Sequence, residues 1–122
     1  GGIVDIEFIV QYLQLLHGVN HPSIRVTNTL TALESLYREK LLAKEQYAIL
    51  KKSYIYLRTL ESRLRVVQNM PSHLLSKSPD RLTSLAKRMG YKDSQRVRAA
   101  VRLKKEYETL RKNVRGVFVK IL

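Results

Sequence analysis

Residues 1–18 read GGIVDIEFIVQYLQLLHG, and the fold follows from the pattern in this stretch. One set of its residues recurs at steps of three and four, the spacing of a single helical face: Ile3, Ile6, Val10, Leu13 and His17. A second apolar stripe adjoins the first and comprises Val4, Phe8, Tyr12 and Leu15. A helix that is apolar over so much of its circumference is typically covered on more than one side. The sequence therefore predicts a central helix of a helical bundle.

Two polar features mark the beginning of this helix. Gly1 and Gly2 precede it, and paired glycines let a backbone come close to a phosphate or to another domain. Asp5 and Glu7 lie in the first turns, where carboxylates interact favourably with the positive end of the helix dipole, and this accounts for both. Residues two apart on a helix diverge by about 200°, so these carboxylates cannot chelate one metal ion together.

Apolar periodicity and capping residues predict further helices along the chain. The second begins close to Thr27, Asn28, Thr29 or Thr31 and ends near Lys40, after a loop over residues 19–27. A long third helix is expected over about residues 44–68. Ser78-Pro79-Asp80 is a start signal for a short fourth helix that Gly90 closes. The last helix starts at Asp93 or Ser94, so the chain is predicted to be all-α, a bundle of four to five helices with two long ones, about 44–68 and 94–120.

The composition indicates one folded domain over residues 1–122. Hydrophobic residues make up 44% of the chain, and no apolar run approaches the ~20 residues that a membrane span requires. The absence of cysteine is typical of a reducing compartment, so we expect a cytoplasmic protein and no membrane partner. Because the chain does not begin with Met, we expect it to be a fragment of a larger multidomain enzyme.

Positive charge is concentrated in the second half of the chain. The formal net charge is +13, and residues 77–122 carry fourteen basic against four acidic residues. Such an excess indicates either a polyanionic partner or a solvated basic surface. Two rival functions follow: a free-standing module that binds nucleic acid with strong salt dependence, and an oligomerisation element that uses the heptad-like seam from Leu103 to Ile121.

Catalytic and metal-binding patterns are missing from the sequence. His17, His21 and His73 have neither helical pairing nor a matching carboxylate, so no metal site is predicted. No nucleophile motif or phosphate-binding loop occurs, and no catalytic residue is predicted in the fragment. Arg58 and Glu61 are three apart and predict a surface ion pair that stabilises a helix by about 0.2–0.5 kcal/mol.

Several stretches of this sequence match one family pattern. They are the opening from Gly1 to Leu15, His21-Pro22 with Asn28-Thr29-Leu30 and Leu33-Glu34, Leu57-Arg58 with Leu60-Glu61 and Arg63-Leu64, Leu85-Ala86 with Met89-Gly90-Tyr91, and the run from Val114 to Phe118. On these residues the chain resembles the glutamine synthetase adenylyltransferase/adenylyl-removing enzymes and the related PII uridylyltransferases. The likeness covers almost the whole chain and places it after a nucleotidyltransferase domain.

The resemblance implies a function for the parent protein. Such an enzyme uses ATP and Mg²⁺ to transfer AMP to a tyrosine of glutamine synthetase, removes the AMP phosphorolytically in its other half, and is regulated by the PII signalling protein and glutamine. The family's metal-binding signature, a Gly-Ser pair followed by Asp-x-Asp, is missing from this sequence. The fragment is therefore expected to be an inactive scaffold or regulatory domain that binds no cofactor itself.

The resemblance also suggests roles for individual residues. It implies that Gly1, Gly2, Asp5 and Glu7 lie near the nucleotide cleft of the upstream nucleotidyltransferase domain. The residues expected to face that domain or a partner, glutamine synthetase or PII, are Arg58, Glu61, Arg63, Arg111 and Arg115. Thr59 and Ser62 stand where the family usually has Arg and His, and residues 69–77 also depart from its pattern. We favour the C-terminal, adenylylating half as the source, and expect no nucleic acid partner.

Overall fold

Five α-helices account for most of the residues that the computed structural model describes, which are 2–69, 81–94 and 97–122. They are α1 (Ile3–His17), α2 (Thr29–Arg38), α3 (Lys44–Gln68), α4 (Arg81–Arg88) and α5 (Ala99–Ile121), with a short 3₁₀ helix at Pro22–Ile24. These described ranges contain no β-strand. The predicted all-α fold with two long helices is confirmed.

The chain forms two compact units. Unit 1 comprises Gly1–Tyr56 and Leu110–Leu122, and unit 2 comprises Leu57–Thr109. Both α3 and α5 contribute residues to each unit. The single domain predicted over residues 1–122 stays a prediction.

One face of α1 lies in the core of unit 1. Its buried residues are Ile6, Ile9, Val10 and Leu13. Other fully or almost fully buried side chains of this unit include Ile24, Ala32, Leu33, Leu36, Leu42, Leu50, Leu110, Val114 and Val117. Burying this many aliphatic side chains is the main source of the unit's stability, at about 1.5–3 kcal/mol for each large one.

The second apolar stripe of α1 is largely exposed. Val4, Phe8 and Leu15 are 76%, 50% and 86% exposed. The prediction of a central helix covered on more than one side is therefore wrong for this chain. Periodicity shows that a helical face is apolar, but it does not show whether another element packs against that face.

The segment after α1 is more ordered than the predicted loop. The amide of Gly18 donates to the Gln14 carbonyl at 2.8 Å. The side-chain amide of Gln14 in turn donates to the carbonyl oxygens of Ile24 (2.7 Å) and Val26 (2.8 Å). Ile24 is fully buried. Gln14 thus links the segment containing Ile24 and Val26 to α1. Local sequence patterns do not predict this contact.

Among the possible caps of α2, the structure selects Asn28. Its side-chain oxygen accepts a hydrogen bond from the Thr31 amide at 3.0 Å and another from the Thr31 hydroxyl at 3.2 Å. An asparagine in this position satisfies one of the amides that have no partner within the helix, typically a contribution of about 1 kcal/mol. The helix accordingly begins at Thr29.

Two helices end in the same backbone motif, one with lysine and one with glycine. After α2, Lys40 has a φ of 61°, and Leu41 and Lys40 donate to the carbonyls of Leu36 and Tyr37. After α4, Gly90 has a φ of 95°, and Tyr91 and Gly90 donate to those of Ala86 and Lys87. Both patterns are Schellman motifs, in which a residue with positive φ ends the helix. The predicted closure by Gly90 is confirmed.

Opposite stability changes are expected from substitutions at these two helix ends. Lys40→Gly removes the steric cost of a side chain at positive φ and should raise the free energy of unfolding by about 1 kcal/mol. Gly90→Ala should lower it by a similar amount, because nothing crowds a Cβ at this position and only backbone strain remains. Urea unfolding of both variants measures the changes. A loss of stability in Lys40→Gly would contradict this account.

Unit 2 contains the end of α3, all of α4 and the beginning of α5. Its core residues include Leu57, Val67, Leu85, Ala86, Ala99 and Leu103. The Arg81 guanidinium donates to the carbonyl of Val67 and so links α4 to α3. The predicted start signal at residues 78–80 lies outside the described residues.

The predicted start of the last helix at Asp93 or Ser94 is wrong. The helix begins at Ala99, whose amide donates to the Asp93 carboxylate at 2.8 Å. The Ser94 side chain bonds to Val97, donating to its carbonyl and accepting from its amide. Serine and aspartate side chains that bond to nearby backbone stabilise a turn in competition with a helix. The sequence analysis identified Asp93 and Ser94 as capping residues, but it placed the helix start several residues too early.

The heptad-like seam of α5 is used inside the chain. Leu103, Leu110, Val114 and Val117 are each at most 5% exposed. A coiled coil between chains requires these positions to be available to a second helix. Their burial therefore argues against the oligomerisation element that the pattern allowed.

Candidate functional site

The predicted site residues Asp5 and Arg115 meet in unit 1, although they lie far apart in the sequence. Arg115 Nη1 is 3.5 Å from Asp5 Oδ2. The guanidinium also lies over the ring of Phe118, 4.6 Å from its centroid. Phe118 contacts Phe8, with the two ring centroids 5.8 Å apart. We call Asp5, Phe8, Arg115 and Phe118 the Asp5 cluster.

The Asp5 cluster joins the beginning of α1 to the end of α5 and is partly exposed. The Arg115 side chain is 58% exposed and that of Asp5 is 20% exposed. A pair with this exposure contributes at most about 1 kcal/mol to stability. The carboxylate and the aromatic ring both contact the guanidinium, and its remaining donors can bind an acidic group. Sequence reasoning proposed Asp5 and Arg115 separately but missed the two phenylalanines.

Arg111 extends this basic surface by one helical turn. It is exposed on α5 and lies four residues before Arg115, so both side chains project from the same side of the helix. The helix between Ala99 and Ile121 carries seven basic and two acidic residues. The end of α5 in unit 1 therefore presents positive charge beside the Asp5 cluster.

A larger residue at Gly2, which precedes α1, would not clash with this chain. Gly2 caps the helix with a φ of −107°, which any residue adopts, and its carbonyl accepts the Ile6 amide at 3.3 Å. A Cβ added at Gly2 meets nothing within 4 Å. Gly1 lies outside the described residues. A side chain at position 2 would therefore point into open space as far as the described residues are concerned.

The second predicted carboxylate, Glu7, lies on a different side of α1. It lines a small groove of about 240 Å³ between α1 and the segment before α2. Other residues that line this groove are Val10, Gln11, Gln14, Val26, Thr27 and Thr29. The structure thus separates Glu7 from Asp5, as their spacing on a helix predicted.

The predicted ion pair on α3 is present in unit 2. Arg58 Nη1 lies 3.6 Å from Glu61 Oε1, and the two side chains are about half exposed. A shallow basic depression of about 420 Å³ adjoins this pair. It is lined by Arg58, Thr59, Ser62, Arg63 and Arg65. Arg63 is therefore on the surface where a partner could reach it, and Arg65 is a neighbour that the sequence analysis did not single out.

The described residues hold no group of three or more His, Cys, Asp or Glu side chains placed to bind a metal ion. Among the same residues, no helix is both long and apolar enough to cross a membrane. His21 has a structural contact instead, since its Nδ1 lies 3.3 Å from Glu39 Oε2.

Glu39 connects the end of α2 to the 3₁₀ helix. Its carboxylate accepts a hydrogen bond from the Ser23 hydroxyl at 2.9 Å, in addition to the contact with His21. The Ser23 hydroxyl, and secondly His21, hold the pKa of Glu39 below its ordinary value. A depressed carboxyl pKa stabilises the fold above the pKa of the unfolded chain, and this stabilisation is lost as pH falls through the folded pKa.

Replacement of Glu39 should therefore have a pH-dependent effect. We expect Glu39→Gln to be less stable than the parent at pH 7, with the difference shrinking as pH falls below about 4.5, the ordinary pKa of the group. Urea unfolding at pH 7 and pH 3.5 measures this. Glu34→Gln, at an exposed position of α2, is the matched control. A difference that stays constant with pH would show that the Glu39 contacts do not stabilise the fold through its charge.

Comparison with known sequences assigns the whole chain to one family. The sequence profile described as GlnD PII-uridylyltransferase matches residues 1–122. No solved structure matches the chain significantly.

Curated relatives carry the name bifunctional glutamine synthetase adenylyltransferase/adenylyl-removing enzyme. The protein of Stenotrophomonas maltophilia (strain R551-3) is 34% identical over 106 residues, which are 87% of this chain and 11% of that protein. The Corynebacterium glutamicum protein is 33% identical over 119 residues, 96% of this chain and 11% of that protein. The Mycobacterium avium (strain 104) protein is 41% identical over 80 residues, 66% of this chain and 8% of that protein.

The chain therefore corresponds to only about a tenth of the length of these relatives. The matches confirm the resemblance that the opening stretch and the later motifs indicated. With the match over all 122 residues, the chain belongs to the GlnD PII-uridylyltransferase family, with glutamine synthetase adenylyltransferases among its relatives.

Proposed function

We propose that this chain is a helical scaffold and regulatory domain of a glutamine synthetase adenylyltransferase. The parent enzyme transfers AMP from ATP to a tyrosine of glutamine synthetase in nitrogen regulation. The observation that carries the proposal is the similarity of almost the whole chain to curated relatives named for this activity. ATP and Mg²⁺ belong to an upstream nucleotidyltransferase domain of the same polypeptide, in a cytoplasmic enzyme.

The geometry at the beginning of α1 supports this role. Val4 and Phe8 are exposed on α1, Arg115 contacts Asp5 and the ring of Phe118, and a side chain at Gly2 would meet no atom within 4 Å. An apolar surface with one positioned charge suits a contact with another folded domain. The proposal places Gly2 and Asp5 at that contact, close to the nucleotide cleft. In the same proposal, the arginines of α3 contact glutamine synthetase or PII.

The family description names a different reaction, transfer of UMP to PII, and the two can be separated by experiment. The full polypeptide that contains this chain should be assayed with labelled ATP and glutamine synthetase, and in parallel with labelled UTP and PII. We expect label on glutamine synthetase only. Label on PII only would assign the chain to a uridylyltransferase. Residues 1–122 alone should label neither protein, and turnover by them would contradict the scaffold role.

Gly2→Ser tests the contact at the beginning of α1. Serine is a good N-cap residue, and the added side chain meets no atom of this chain, so thermal unfolding of residues 1–122 should not change. In the full enzyme we expect AMP transfer to fall about tenfold or more, because the added side chain disturbs positioning at the cleft. Full activity of the Gly2→Ser enzyme would show that position 2 does not lie at the contact with the nucleotidyltransferase domain.

A further inference from the structure

A second surface, in unit 2, has features of a small-ligand site that the scaffold role does not use. It is a depression of about 500 Å³ where Tyr91, Ser94 and Val97 meet the first turns of α5. From α5 it is lined by Arg102, Lys105 and Glu106. Among the described residues, the lining therefore combines two cations, one carboxylate, two hydroxyl groups and one half-exposed aliphatic side chain.

Arg102 is held in position at this depression. Its Nη1 donates to the backbone carbonyl of Lys92 at 3.0 Å, which ties the guanidinium to the segment before α5. A guanidinium has five N–H donors, and this hydrogen bond uses one of them. A fixed guanidinium with donors to spare is a suitable group for binding an oxyanion.

Lys105 lies one helical turn beyond Arg102 and lines the same depression. Its ammonium group has no hydrogen bond or ion pair with any residue that the structure describes. Two cations at this spacing can approach one anion from the same side of the helix. One of them is already anchored, and the other is available to a ligand.

The remaining polar groups of the depression are engaged with one another. The Tyr91 hydroxyl donates to Glu106 Oε2, and Ser94 is bonded to Val97. The tyrosine fixes one oxygen of the carboxylate, which limits but does not remove its repulsion of an anion. The net charge of the described lining side chains is positive, with two cations against one carboxylate.

We propose that this depression binds the phosphate group of a small ligand. Arg102 and Lys105 neutralise a dianion together, and a tetrahedral oxyanion can accept from both at once. A monocarboxylate matches this arrangement less well, since it carries one charge for two cations. The proposal does not depend on the transferase activity, and it concerns residues to which the resemblance assigned no role.

Calorimetric titration of the full chain with inorganic pyrophosphate tests the proposal, with inorganic phosphate and acetate as comparison anions. We expect saturable binding of pyrophosphate and phosphate at one site, and binding of acetate at least tenfold weaker. Arg102→Gln and Lys105→Gln should each weaken phosphate binding about tenfold or more, the usual effect of losing a charge-assisted hydrogen bond. Glu106→Gln should strengthen it, because it removes the opposing charge.

Lys104→Gln is the matched control. Lys104 is exposed on α5 next to Lys105 but does not line the depression, so its removal changes the net charge equally and should alter binding less than twofold. Lys105→Gln breaks no contact of the described structure, and its thermal unfolding should match the parent. Equal loss in the Lys104 and Lys105 variants would overturn the proposal in favour of diffuse attraction. Tighter, strongly salt-dependent binding of duplex DNA by the same residues would overturn it in favour of a nucleic-acid surface.

Discussion

Ile9→Ala should lower the free energy of unfolding by about 2–5 kcal/mol, the largest effect expected of a single truncation in unit 1. Ile9 is fully buried on the face of α1 that forms the core, together with Ile6, Val10 and Leu13. Its removal costs the transfer of three carbon groups to water and leaves a cavity that the surrounding helices fill only in part. Urea unfolding followed by far-UV circular dichroism gives the change.

Leu15→Ala is the control for this prediction, because it truncates an aliphatic residue on the same helix at 86% exposure. We expect its stability to stay within about 0.5 kcal/mol of the parent. Equal losses at Ile9 and Leu15 would show that both faces of α1 are covered, as the sequence pattern first indicated, and that unit 1 packs differently from the structure.

Gly18→Ala should lower the free energy of unfolding by about 1–3 kcal/mol. A Cβ at this position falls well inside contact distance of the Gln14 carbonyl oxygen and lies 3.3 Å from Arg25 Cγ. The first of these atoms is backbone and cannot rotate away. Gln14 is also the residue whose side chain fastens the segment of Ile24 and Val26 to α1, so the displacement should spread into that segment.

Gly116→Ala, the same substitution at another glycine, should instead raise the free energy of unfolding. Gly116 lies inside α5, and a Cβ added there meets nothing within 4 Å. Alanine in a helix interior should therefore stabilise the chain by about 0.5–1 kcal/mol. If both glycine variants gained stability, the close approach at Gly18 would be refuted. Hydrogen exchange of the amides at residues 19–27 reports whether the loss at Gly18 is local.

Helix content and most helix bounds follow from local sequence rules. The three-four spacing predicted α1 and α3, and the expected limits of α3, about 44–68, agree with the structure. The apolar stripes named from the sequence left out Ile9, which is fully buried. Asn28 caps the beginning of α2 and Gly90 ends α4. Both roles depend on only a few neighbouring residues, so local capping rules can predict them. Lys40 takes the same conformation as Gly90 without the glycine that normally signals it.

The candidate site depended on contacts that local rules cannot supply. Asp5 and Arg115 were singled out individually, but their meeting depends on how the end of α5 packs against α1 in unit 1. The sequence analysis did not single out Arg102 and Lys105, because many basic residues surround them in the sequence. Only the structure shows that these two line a depression together with Tyr91 and Ser94. Ser94 and Val97, which line the depression, lie before the start of α5 at Ala99, whereas the sequence analysis placed that start at Asp93 or Ser94.

The coding sequence immediately upstream of Gly1 tests the central claim most directly, since the claim is that this chain serves a nucleotidyltransferase domain preceding it. We expect that domain to occupy about 150 residues there, and to contain a Gly-Ser pair followed by Asp-x-Asp. Coding sequence that lacks this signature, or that begins at Gly1, would contradict the proposed role. The basic surface of α5 would then become the leading indication of function.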